Sequence, residues 1–122
     1  MLPFICVEFS TYDGTTLRGK FYRSVHARGP SPVVIFCHGL SLLKEQCPEN
    51  WFKRVLNSGY HVLTSDHRSF GDSDGLPRDK FNWFGQAEDF IDAVSFARTR
   101  PEVNEDKVLG WVVAHAGGLI AM

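Results

Sequence analysis

Residues 33–40 read VVIFCHGL: Val33, Val34, Ile35, Phe36 and Cys37 without polar alternation, then an abrupt His38-Gly39. A strand covered by helices on both faces needs such a run, because neither face meets water. The stretch therefore predicts the central strand of a parallel sheet. Gly39 permits a sharp turn at the carboxyl end of that strand, where open α/β sheets place their ligands.

On the amino-terminal side, residues 7–10 and 16–23 flank Asp13-Gly14, a dipeptide suited to positive-φ turn positions, and predict an antiparallel edge hairpin. HARGPSP at 26–32 is a loop, with Pro32 at the first residue of the following strand. On the carboxyl-terminal side, Pro48 stands near the start of a helix with Trp51, Phe52, Val55 and Leu56 on its buried face and Gly59 as its stop. HVLTS at 61–65 is the next strand, followed by a polar, Gly-rich surface loop, HRSFGDSDGLPRDK, at 67–80.

Phe84, Ala87, Ile91, Val94 and Arg98 fall on one helical stripe, widened by Phe90 and Ala97, with Glu88, Asp89 and Asp92 facing elsewhere. This amphipathic helix ends before Pro101. Residues 104–106 predict a turn, and residues 108–113 a buried strand that opens on Val108 and closes on Val113. Gly117-Gly118 opens a further helix. The order ββ and then βαβαβ predicts one α/β domain over residues 1–122, an antiparallel hairpin followed by parallel strands with helices on both faces.

Thirteen basic and fourteen acidic residues are spread without clustering, a net charge of -1, which argues against a nucleic-acid or membrane partner. Cys6, Cys37 and Cys47 are odd in number and irregularly spaced, as buried free thiols in a reducing compartment would be. The opening MLPFICV lacks a basic region and a cleavage site, so an intracellular location is expected, cytoplasm and peroxisome being indistinguishable. Gly110, Gly117 and Gly118 match neither a P-loop nor a dinucleotide fingerprint, and no cofactor is expected. His38, His67 and His115 follow three strands expected side by side in the order 4-3-5. With Asp66 they are the ligand types zinc takes, but their spacing fits no local zinc motif and no metal site is expected.

The segments CHGL, DHRSFGDSDG, QAEDFIDAVSF and the last strand with HAGG together resemble the N-terminal half of an α/β-hydrolase. The spacing of Lys44-Glu45, of Asp66-x-Arg68-x-x-Gly71-x-Ser73-Asp74-Gly75 and of Gln86-x-x-Asp89-x-x-Asp92-Ala93 is similar to that of the fungal polyketide transferase group, thioesterase-like hydrolases of secondary-metabolite and toxin pathways. The resemblance implies a truncated α/β-hydrolase fold ending just after the nucleophile elbow, and small acyl compounds as the relatives' substrates. It also implies an oxyanion hole from Gly39, Leu40 and the Ala116 amide, and a structural loop held by Asp66 and Arg68.

The elbow of such enzymes carries Ser at G-x-S-x-G, whereas here residues 113–117 read VAHAG, with His115 at the nucleophile position. An unassisted imidazole has no general base there, and residues 116–122 supply neither an acid nor a His. Two readings follow: a polyketide-pathway acyl hydrolase or transferase relative, inactive as this chain, or a degenerate copy retaining a binding surface or no function. The strand at 108–113 is also expected to self-associate if its edge is open.

Overall fold

In the computed structural model the residues described are 2–37, 49–80 and 82–112. They form β1 (Ile5–Ser10), β2 (Thr16–Tyr22), β3 (Ser31–Cys37), α1 (Glu49–Asn57), β4 (His61–Ser65), α2 (Trp83–Thr99) and β5 (Val103–Val112). The sheet order is β1-β2-β4-β3-β5. β1 and β2 are antiparallel, β2 meets β4 antiparallel, and β3 lies parallel between β4 and β5, so the VVIFC run is the middle of the three parallel strands.

The hairpin closes at Asp13-Gly14, where Gly14 takes φ +84°. Thr11 Oγ1 donates to the Asp13 carboxylate at 2.8 Å, and the Gly14 amide donates to the Thr11 carbonyl at 3.0 Å. Gly19 allows β2 and β4 their close approach: a Cβ there would lie 2.2 Å from the Thr64 carbonyl oxygen.

Alternation along the strands splits the core between the two sheet faces. Val33, Ile35, Leu63, Phe21 and Leu17 pack with Ala93 and Ala97 of α2 on one face. Phe36, Val62 and Tyr22 pack with Phe52 and Leu56 of α1 on the other. The second cluster is largely aromatic, with the Phe36 ring edge-on to Phe52 and to Trp111 at 5.3 Å between centroids in each case. Phe52 is fully buried, worth about 1.5–3 kcal/mol relative to exposure.

Several expectations are corrected. The buried stripe of α2 is Gln86, Asp89, Ala93 and Ala97, flanked by half-buried Phe90 and Val94, while Phe84 and Ile91 are 72% and 56% exposed and Arg98 is exposed. The helix is apolar around much of its girth, so its period alone does not fix which side turns inward. On α1, Phe52 and Leu56 are buried but Trp51 is exposed, stacked on Trp111 at 5.7 Å. β5 begins at Val103, five residues before the expected start at Val108, and the turn at 104–106 lies inside it. Ser31 pairs with Val103 and Val33 with Val108, so β5 bulges there, the Asp106 amide donating to Asn104 Oδ1 at 3.0 Å. The missing N–H of Pro32, second rather than first in β3, falls at this interruption.

The loop at 67–80 is not simply a surface loop, because Arg68, Ser69, Phe70 and Ser73 are buried. Last, Cys6 is exposed on β1. The Cys37 side chain, Cys47 and the further helix after Gly117-Gly118 lie outside the described residues.

Candidate functional site at the strand crest

The carboxyl ends of β3, β4 and β5 converge on one edge of the sheet. β4 ends at Ser65, and Asp66, His67 and Arg68 follow it there. Asp66 is fully buried and stitches the loop to the sheet. Its amide donates to the Arg18 carbonyl at 3.1 Å, its carboxylate accepts from the Asp72 amide at 2.9 Å, and its carbonyl accepts from Ser73 Oγ at 2.8 Å. Ser73 Oγ in turn accepts from the Arg18 amide at 2.9 Å, which buries a side chain expected in a surface loop. Asp72 and Asp74 on either side of it are exposed, and Arg18 reaches the Asp72 carbonyl at 2.8 Å and the Asp74 carboxylate at 2.7 Å. Gly71 is required by this wrap: φ is +53°, and a Cβ would lie 2.4 Å from the Asp66 carboxylate.

Arg68 turns inward. Its Nε and Nη2 donate to the two carboxylate oxygens of Asp89 at 2.6 and 2.7 Å, a bidentate fork. Nη1 and Nη2 also reach the Asp13 carboxylate at 2.9 and 3.2 Å, and the guanidinium lies 5.5 Å from the Tyr12 ring centroid. One buried cation thus joins the hairpin turn, the crest loop and α2. Its bonds to Asp89 and Asp13 hold Arg68 well above its ordinary pKa. The same contact with Arg68 holds Asp13 well below the usual carboxylate range. Asp89, only 3% exposed, is pushed up by burial against the opposing pull of Arg68.

Asp13 and Asp89 are the partners that reading the sequence missed. The stripe built on Phe84, Ala87, Ile91, Val94 and Arg98 turns Asp89 to another face of the helix. The usable signal was its spacing from Ala93 and Ala97, on the one stripe that also carries Gln86.

Behind the loop lies a cavity of about 20 Å³, with Asp66, His67, Gln86 and Asp89 on its polar side and Ile35 and Phe90 among its apolar walls. Gly39, Leu40, His115 and Ala116, the expected oxyanion and nucleophile positions, lie outside the described residues, as does His38. Among the described residues no group of three His, Cys, Asp or Glu side chains is placed to hold a metal ion. No helix among them is long and apolar enough to cross a membrane. What the described side chains do chemically is positional: Asp66 and Arg68 fix the path of the loop, through backbone amides and through carboxylates respectively.

No family model matches the chain. In sequence it is 37% identical over 112 residues to thiohydrolase aneE of Aspergillus aculeatus, spanning 91% of this chain and 34% of that protein. It is 35% identical over 118 residues to polyketide transferase grgF of a Penicillium species, spanning 97% of this chain and 39% of the relative. The chain therefore spans little more than a third of the length of these relatives. Among solved structures it superposes on DcsB, determined with a substrate analogue, with a TM-score of 0.90 at 32% identity over 98% of this chain and 40% of that one. The α/β-hydrolase GrgF gives a TM-score of 0.88 at 34% identity, over 97% of this chain and 40% of that one. Sheet order and sequence converge, and the chain belongs to the α/β-hydrolase superfamily, where it is related to the fungal thiohydrolases and polyketide transferases.

Proposed function

We propose that this chain derives from the acyl hydrolysis and transfer chemistry of fungal polyketide metabolism, and that the 122-residue chain does not itself turn over acyl substrates. The first half of the reading is supported by relatives named thiohydrolase and polyketide transferase. The second rests on one observation: position 115, in VAHAG, carries an imidazole where an acyl-transfer elbow needs a hydroxyl. An acyl-imidazole formed there would be reactive, because imidazole is a good leaving group from the acyl carbon. Forming it nevertheless needs a neutral ring held in one tautomer, and deacylation needs a base for the attacking water.

The test is hydrolysis of an acyl-N-acetylcysteamine thioester and of a short p-nitrophenyl ester by the purified chain and by His115→Ala. Equal background rates are expected, and His115→Ser is expected to leave them unchanged, because residues 116–122 add no acid and no His. Turnover that is saturable and lost in His115→Ala overturns the proposal.

A further inference from the structure

We propose that the cavity behind the crest loop is a built site for one internal water, bound by the side-chain amide oxygen of Gln86. Gln86 sits in the first turn of α2 and is 2% exposed. Its Oε1 is the one buried side-chain nitrogen or oxygen among the described residues without a hydrogen-bond partner. A carbonyl buried in that condition is unfavourable unless something donates to it. Gln86 lines the cavity, together with Ser65, Asp66 and His67 at the end of β4 and Asp89 one turn further along α2.

Size and chemistry select the occupant. The volume of about 20 Å³ exceeds the ~10–15 Å³ that one water requires. A cavity with only apolar walls stays dry, whereas this one has an amide and two carboxylates on one side. Gln86 Oε1 and the two carboxylates are acceptors, and a carboxylate offers roughly four lone-pair sites, so one already bound by Arg68 accepts further donors. A water molecule brings two donors. One satisfies Gln86 Oε1 and the other goes to a neighbouring carboxylate, which links the first turn of α2 to the end of β4 at the depth of the Arg68 fork. The water is a positioning element of the crest.

The direct test is magnetisation transfer from bulk water to the amides of residues 65–67 and 86 in the isotopically labelled chain. A long-lived water contact is expected at these positions. One variant reads the same site by stability. Gln86→Met replaces the amide with an apolar group of similar size. If water is held, it lowers the urea midpoint and abolishes the water contact. A dry cavity reverses the sign: Gln86→Met removes an orphaned carbonyl, and the midpoint rises. Absence of the water contact in the unmodified chain, or a midpoint raised in Gln86→Met, overturns the proposal. A contact that appears only with added potassium or ammonium shows a cation site and overturns it as well.

Discussion

Removing the guanidinium of Arg68 leaves the Asp89 carboxyl 3% exposed and without its fork. Breaking one side of a buried pair typically costs about 3–5 kcal/mol, so Arg68→Met is expected to destabilise the fold by that amount in urea unfolding. Arg68→Lys recovers little, since an ammonium lacks the planar fork. The double variant Arg68→Met with Asp89→Leu is expected to lie near the parent. Additivity of the two losses would show that the pair does not act as a unit.

His61 sets the pH response. It is 1% exposed, its Nδ1 accepting from the Ser24 amide and its Nε2 donating to the Glu102 carbonyl, each at 3.0 Å. Burial lowers its pKa below the ordinary 6.5, with Glu102 opposing and Arg23 and Arg100 reinforcing. A proton on Nδ1 would face the Ser24 N–H, donor against donor. The unfolded chain takes up that proton more readily than the folded one, so stability is full above the ordinary His range and falls as pH drops through it. Urea midpoints at pH 7.5 and 5 are expected to differ less in His61→Gln than in the parent.

Among the elements, α2 gives the sharpest contrast between the two readings of its buried side. Asn82 caps it by accepting from the Gly85 amide at 2.9 Å, and the Arg100 amide closes it on the Ala97 carbonyl at 3.1 Å. Between these ends the inward stripe carries two small residues, Ala93 and Ala97, that let the helix lie close on the sheet. Ala97→Leu is expected to cost about 1–3 kcal/mol by overpacking. Phe84→Gln and Ile91→Gln, on the outward stripe, are expected to stay within about 0.5 kcal/mol of the parent. Chemical denaturation of the three variants distinguishes the observed phase from the one built on Phe84 and Ile91, which demands the opposite ranking.

At the scale of the whole molecule, the side of β5 left unpaired among the described residues carries an expectation of self-association. Among the described residues β5 pairs with β3 alone, and Leu109 on it is 45% exposed. An unpaired strand with apolar side chains is a template for a second strand. We expect the 122-residue chain to associate with concentration and Leu109→Lys to weaken that association, as read by size-exclusion chromatography with light scattering. A monodisperse 13.8 kDa species at all concentrations would exclude pairing through this edge.

The sequence by itself determined the order of elements and the parallel core: the unbroken VVIFC run, HVLTS at 61–65, Asp13-Gly14 and Gly59 each act through local rules of burial, φ preference and chain reversal. Two strand ends and the face of α2 were not legible in the same way. β5 extends back to Val103 because a bulge absorbs the 104–106 turn, and bulges depend on the partner strand. The face of α2 was settled by long-range charge pairing. Arg68 and Asp89 are 21 residues apart and Arg68 and Asp13 are 55 apart, and only the folded sheet brings the three together. A helix with apolar residues on several sides accepts more than one rotation. The orientation that satisfies the buried guanidinium is the one that turns Asp89 and Gln86 inward and leaves Phe84 and Ile91 in water.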